Sequence, residues 1–116
     1  GGDVLPDEQK LILDIARVIR IGFLQQNAYH DQDTYVPMIK QYKMMEIIVY
    51  LYDKLKKIVS NNIPVSVIRN TGIMDELVKI KYTIDNEHLE EFDKLKSHID
   101  EIYNSLIESY RISNVQ

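Results

Sequence analysis

The residues most capable of chemistry lie close together between positions 26 and 35, in the run QNAYHDQDTY. His30, Asp31 and Asp33 supply an imidazole and two carboxylates, side chains that serve as hard-metal ligands or general bases. No fourth or fifth ligand follows at a suitable spacing. The same residue types also cap helices and form turns, so the pattern favours a polar loop over a metal or catalytic site.

The other histidines and the tyrosines give weaker indications. His88 and His98 are ten residues apart, which on one helix places them about 15 Å apart along the axis, too far for a shared metal ion. Tyrosines can stack on bases, but Tyr42 and Tyr52 fall on an apolar helix face and are predicted to pack in the core. The sequence contains no P-loop, GxGxxG turn, HExxH pair or GxSxG elbow. The sequence motifs therefore give no indication of an enzyme.

Composition predicts a small soluble domain. The 116 residues are 45% hydrophobic and 28% charged, which is typical of one folded core. The absence of cysteine excludes disulfides and thiolate-bound metals, and the net charge of −4 disfavours nucleic acid as a partner. No apolar run approaches the roughly 18 residues that a membrane-spanning helix needs.

Apolar spacing predicts the helices that must position the polar loop. Apolar residues recur every three or four positions from about Pro6 to Gln25, which predicts a first helix over this range. Near its end, Phe23 and Leu24 are predicted to lie in the core. A second helix begins near Pro37, with Thr34 as a candidate cap, and ends at Ser60–Asn62. Its predicted apolar face consists of Tyr42, Met45, Ile48, Tyr52, Leu55 and Val59, broadened by Met44, Ile47, Leu51 and Ile58.

The second half of the chain is also predicted to be helical. A short helix covers Val65–Arg69, another covers Ile73–Lys81, and a long last helix follows Asp85 as its cap. The last helix carries a nearly heptad seam of apolar residues from Phe92 to Tyr110. No β alternation is present, so the predicted fold is all-α, a bundle of four to five helices with a long C-terminal helix.

The stretch FLQQNAYHDQDTY at Phe23–Tyr35, followed by QYKMMEIIVYLYD, resembles the catalytic A subunit (alpha chain) of archaeal A-type and vacuolar-type rotary ATPases. The upstream run LPDEQKLILDIARVIR resembles the helix that leads into this stretch in the family. The resemblance extends from about Asp3 to the last helix and is dense over Phe23–Tyr52. It implies that residues 1–116 form a single C-terminal helical domain, the upstream nucleotide-binding domain of the longer subunit being absent from this sequence.

The resemblance also implies a binding role for the polar loop. In the family this loop lies against the adenine of bound ATP or ADP, which places Gln26, Asn27, Ala28 and Tyr29 at the adenine end of the site. An aromatic ring stacks on a purine face, and short polar groups meet its edge. The phosphates and Mg²⁺ belong to the upstream domain of the full subunit, so no cofactor and no catalysis are expected for these residues alone.

For the whole subunit, the resemblance implies ATP synthesis or hydrolysis coupled by rotation to proton or sodium transport. The implied partners are the subunit's own nucleotide-binding domain, the non-catalytic B subunit and the central rotor stalk, which the turn at Ser60–Ile63 is expected to face. The membrane is contacted only indirectly, through the ion-translocating sector, and the domain is expected in the cytoplasm as part of the ATPase head. The alternative is a free-standing helical interaction module whose polar loop binds a protein partner.

Overall fold

The computed structural model describes residues 5–24 and 35–115 of the chain. In these two ranges the backbone is helical nearly throughout and contains no strand, which confirms the predicted all-α fold with a long C-terminal helix. No helix of the same ranges is long and apolar enough to cross a membrane.

In chain order the helices are α1 (Asp7–Val18), a π-helical segment (Ile19–Leu24), α2 (Met38–Ser60), α3 (Val65–Asn70), α4 (Ile73–Val78), α5 (Ile80–Thr83) and α6 (Glu91–Val115). Helices α1 and α2 lie side by side, α6 packs along α2, and the short helices α3–α5 pack against α1 and the π-helical segment.

Prolines set the starts of three helices. Pro6, Pro37 and Pro64 are the N-caps of α1, α2 and α3, each with ψ close to 150°. The proline ring fixes φ near the helical value and the missing N–H would have no partner in a first turn, so a helix begins at little cost just after it. The predicted start of α2 near Pro37 is thus confirmed, and so is its end, because Asn61 and Asn62 form a turn after Ser60.

The predicted helix Ile73–Lys81 is interrupted. Lys79 adopts φ −100° and ψ −2°, which ends α4 and begins the four-residue α5. The predicted start of the last helix at Asp85 is wrong, because residues 85–90 form successive turns and α6 begins at Glu91. These breaks explain why there are more helices in the described ranges than the four to five that were predicted.

The core is built around α2. This helix buries seven apolar side chains that recur every three or four residues, and they pack against buried residues of α1, α3, α4 and α6. The seven residues are Met44, Ile47, Ile48, Leu51, Leu55, Ile58 and Val59. Among the α6 side chains whose burial the structure describes, Phe92 and Ile99 are buried, whereas the rest of the predicted seam is half-buried against the same core.

Three residues predicted to lie in the core do not. Tyr42 is 64% exposed and Met45 is 43% exposed, and at the end of the π-helical segment Leu24 is 73% exposed. The buried face of α2 is centred on Met44 and Leu51, and at about 100° per residue Tyr42 points away from it. Tyr52 is half-buried and packs against the core, in agreement with the prediction.

Candidate functional site

The predicted adenine-binding residues lie between the two described ranges of the chain. The structure describes the residues on either side of them, Leu24 at the end of the π-helical segment and Tyr35 just before α2. It does not describe the predicted binding residues Gln26, Asn27, Ala28 and Tyr29, nor His30, Asp31, Asp33 and the predicted cap Thr34. What it establishes is how both ends of this segment are held.

The upstream end is held by a close backbone contact with α4. Gly22, in the π-helical segment, is buried, and a Cβ atom placed on it would lie 2.9 Å from Val78 Cα and 3.0 Å from the Val78 carbonyl oxygen. Real Cβ atoms essentially never come so close, so only glycine permits this packing. A π-helix is rare and is often found beside functional sites. The sequence pattern predicted an ordinary helix here, with Gly22 as a weak point inside it.

The downstream end is held by hydrogen bonds. The Asn86 side-chain amide donates to the backbone carbonyl of Tyr35 over 3.4 Å, and the Gln41 side chain donates to the carbonyl of Val36 over 2.9 Å. The Asn86 carbonyl oxygen in turn accepts a hydrogen bond from Lys40 Nζ at 2.9 Å. One asparagine therefore joins Tyr35, the last residue of the predicted loop, to the first turn of α2.

Lys40 is a buried lysine with all of its donors used. Its side chain is 1% exposed, and Nζ donates to the backbone carbonyls of Lys81 at 2.9 Å and of Ile84, in addition to Asn86. An ammonium has three N–H donors, so these three acceptors satisfy it completely. Burial lowers the pKa of Lys40; the nearby Asp85 carboxylate opposes this shift, and the neighbouring ammonium of Lys81 adds to it.

Both ends of segment 25–34 are therefore fixed on one short stretch of chain. The upstream end packs on Leu77 and Val78, and the downstream end is bonded, directly or through Lys40, to residues 81–86. The stretch contains α4's last turn, α5 and the turn that follows it. Because α4 ends at Val78 and α6 begins only at Glu91, the backbone carbonyls of Lys81 and Ile84 can accept hydrogen bonds from Lys40. The sequence pattern did not predict this role of residues 81–86.

A signal for Lys40 is present in the sequence. Lys40 lies four, seven and eleven residues before Met44, Ile47 and Leu51, which places it on the buried face of α2. A lysine at a core position needs polar partners, because an unpaired buried charge is too costly to retain. The amino-acid pattern does not show where those partners come from, since residues 81–86 are more than forty positions away.

The described part of the chain contains no cluster of potential metal ligands. Nowhere in residues 5–24 or 35–115 do three histidine, aspartate or glutamate side chains come close enough together to hold a metal ion. His98 Nε2 lies 3.0 Å from Glu76 Oε2 and links α6 to α4, while His88 pairs with Glu90 at 3.2 Å. Since α6 begins at Glu91, the two histidines do not share a helix as predicted.

Comparison with known proteins identifies close relatives. Residues 1–67 match the family described as the C-terminal domain of V and A type ATP synthase. The chain is 52% identical to the V-type ATP synthase alpha chain 2 of Clostridium tetani over 111 residues, which cover 96% of the chain and 19% of that protein. It is 47% identical to the V-type ATP synthase alpha chain of Halothermothrix orenii over 111 residues, which again cover 96% of this chain and 19% of that protein.

A relative from an A-type ATP synthase shows the same pattern of coverage. This protein, from Methanopyrus kandleri, is 38% identical over 108 residues, which make up 93% of this chain and 18% of that protein. The chain thus spans about a fifth of the length of the curated relatives it matches. Nearly the whole of it is matched in each of these three.

Proposed function

The chain belongs to the family of C-terminal domains of V- and A-type ATP synthases, and from this premise we propose that it completes the adenine end of a nucleotide site in a longer alpha chain. The observation that carries the proposal is the similarity to alpha chains over 96% of the chain. The longer subunit would synthesise or hydrolyse ATP in a rotary complex that transports protons or sodium ions.

In this proposal Tyr29 stacks on the adenine ring, and Gln26, Asn27 and Ala28 meet its edge. Stacking on an aromatic ring and a few polar contacts provide orientation and a modest share of affinity. The phosphates and Mg²⁺ are held by the upstream nucleotide-binding domain of the longer subunit, where most of the affinity arises. The isolated chain is accordingly a poor nucleotide binder without catalytic activity.

The arrangement around segment 25–34 supports a mechanical role. Because its two ends are fixed on residues 77–86, a force on the segment is transmitted to α4, to α5 and, through Lys40, to α2. Helix α2 has 23 residues and is about 35 Å long, and its core face is tightly packed. Packed cores move as rigid bodies, so closure at the adenine would displace the far end of α2, where the turn Ser60–Ile63 faces the rotor stalk.

Photoaffinity labelling of the longer subunit tests the proposal directly. ATP carrying an azide on the adenine ring is bound, irradiated, and its attachment site is located by mass spectrometry. The proposal predicts label on residues 26–29, lost when unmodified ATP competes. Label found only outside this chain would contradict it, and would favour the alternative of a domain that binds proteins alone.

A further inference from the structure

Asn86 uses the two ends of its side-chain amide for two different parts of the domain. It is half-buried and lies in the turns between α5 and α6. Its carbonyl oxygen accepts a hydrogen bond of 2.9 Å from Lys40 Nζ on α2, and its NH₂ group donates over 3.4 Å to the backbone carbonyl of Tyr35. An amide held at one end only is free to rotate by half a turn, which exchanges its donor for its acceptor.

Lys40 fixes the orientation of this amide. An ammonium group donates hydrogen bonds and cannot accept them, so the atom of Asn86 that faces it must be the carbonyl oxygen. The ammonium cannot move away, because Lys40 is 1% exposed and also donates to the carbonyls of Lys81 and Ile84. A reversed amide would leave one donor of a buried charge without an acceptor, which is costly. The NH₂ group is therefore directed at Tyr35.

The bond from Asn86 is a long-range restraint on Tyr35. Tyr35 is not part of a helix, and its side chain is 68% exposed, so packing contributes little to its position. The next carbonyl, that of Val36, accepts a hydrogen bond of 2.9 Å from Gln41, but this bond closes within the start of α2 itself. Asn86, by contrast, is 51 positions from Tyr35 in sequence and belongs to the stretch 77–86 on which segment 25–34 is fixed.

The position of Tyr35 sets where segment 25–34 joins the first turn of α2. We propose that Asn86, oriented by Lys40, is a positioning residue for nucleotide binding, because the carbonyl that it holds is the point at which the adenine-binding segment rejoins the domain. This inference rests on the proposed function. Asn86 is not required to touch the nucleotide. Its contribution should appear in the affinity for ATP, since contacts that are placed before binding reduce the cost of binding.

Two substitutions at position 86 separate this role from a contribution to stability. At neutral pH Asn86→Asp keeps an oxygen that accepts from Lys40, but it has no donor for the Tyr35 carbonyl. Asn86→Leu has a similar size and removes both bonds, so the ammonium of Lys40 loses one acceptor. Asn104→Asp, at an exposed position of α6, is the matched control because it makes the same change of charge elsewhere in the domain.

Steady-state ATP hydrolysis by the assembled rotary complex gives KM and kcat for each variant. Asn86→Asp and Asn86→Leu should both raise the KM for ATP about threefold to fivefold, as expected for one lost hydrogen bond. Their kcat should stay within about twofold of the wild type, as expected when binding alone is weakened. In urea unfolding of the 116-residue chain, Asn86→Leu should lower the midpoint and Asn86→Asp should not. Asn104→Asp should change neither KM nor the midpoint.

Several results would overturn the inference. A KM that rises only in Asn86→Leu would follow stability, and Asn86 would then have a structural role alone. An unchanged KM in both variants, or a lower kcat with an unchanged KM, would show that Asn86 does not act on nucleotide binding. An equal increase of KM in Asn104→Asp would assign the effect to the added charge.

Failure of this inference is distinguishable from failure of the proposed function. If ATP with an azide on the adenine ring labels residues 26–29 of the wild-type subunit while the KM of Asn86→Asp is unchanged, the role of Asn86 is wrong and the proposed function stands. If the wild-type subunit is labelled only outside this chain, the proposed function is wrong, and the inference is overturned with it whatever the KM values are.

Discussion

The ammonium group of Lys40, on α2, donates a hydrogen bond of 2.9 Å to the backbone carbonyl of Lys81, forty-one residues away on α5. This bond joins the buried face of α2 to the stretch of residues 77–86 on which both ends of segment 25–34 are fixed. Because α5 is only four residues long, it satisfies few of its own carbonyl groups, and Lys40 supplies the donor that its end lacks.

Replacing Lys40 should destabilise the domain. Lys40→Met keeps the length of the side chain but removes the hydrogen bonds that Nζ donates to the carbonyls of Lys81 and Ile84, which we expect to cost about 2 kcal/mol in the free energy of unfolding. Lys43→Met, on the partly exposed side of the same helix, should change it by less than about 0.5 kcal/mol. Urea unfolding of both variants measures the difference, and equal values would show that the buried ammonium contributes nothing.

Tyr50 should make stability depend on alkaline pH. Its hydroxyl donates to the Asp100 carboxylate, and this bond raises the pKa of Tyr50 from 10.0 to about 12. The folded state thus keeps a proton that the unfolded state loses, so the contribution is complete below pH 10 and is lost as the pH rises through about 12.

The difference in unfolding free energy between the wild type and Tyr50→Phe measures this contribution. It should be constant up to about pH 10 and then fall by about 1 kcal/mol, less than the full shift implies because Tyr50 is partly exposed to solvent. Asp100→Asn, which removes the charged acceptor, should abolish the same decrease. A difference that stays constant from pH 9 to 12 would rule out the bond.

The close contact of Gly22 with Val78 predicts that a methyl group at position 22 destabilises the domain. Gly22→Ala forces a Cβ against backbone atoms that cannot rotate away, and we expect a cost of about 2–3 kcal/mol. Gly72→Ala is the comparison, because Gly72 has φ +78° but open space around it, so only backbone strain of about 1 kcal/mol applies.

Amide hydrogen exchange distinguishes these two glycine variants. Gly22→Ala should increase exchange over residues 77–86, whereas Gly72→Ala should affect mainly the start of α4. If Gly22→Ala leaves exchange of residues 77–86 unchanged, the two segments are not coupled as the structure indicates.

Two neighbouring residues of α2 should respond very differently to the same substitution. Ile48 is 1% exposed and Val49 is 63% exposed. Ile48→Asp buries an unpaired charge and should unfold the 116-residue chain, while Val49→Asp should change its stability by less than about 1 kcal/mol. Circular dichroism at 222 nm reports both outcomes, and a folded Ile48→Asp variant would contradict the assignment of the core.

The sequence predicts the helices well where a proline or a polar turn marks their limits. Pro37 and Asn61 define α2 because their effects are local, and the all-α class follows from the apolar spacing throughout the chain. The break at Lys79 was missed because Ile80 continues the apolar period across it. No residue type specifies a π-helical turn, so the segment around Gly22 was not predictable either.

The incorrect or missing predictions for residues of α2 have a different physical origin. Tyr42 was predicted in the core because it lies within the wide apolar arc of α2, and apolar spacing does not tell which part of such an arc the domain buries. Lys40 was overlooked because its partners lie far away in sequence. The adenine-binding role of residues 26–29 comes from family resemblance and stays a prediction, since these residues lie between the ranges that the structure describes.

The most direct test of the proposed function is the Michaelis constant for ATP of the assembled rotary complex carrying Tyr29→Ala. Loss of a stacking ring should weaken binding by about 1 kcal/mol, which raises the constant roughly fivefold or more, while Tyr29→Phe retains the ring and should resemble the wild type. The circular dichroism of the isolated chain should be the same for all three. An unchanged Michaelis constant and turnover in the Tyr29→Ala complex would contradict the claim that this domain forms the adenine end of the site.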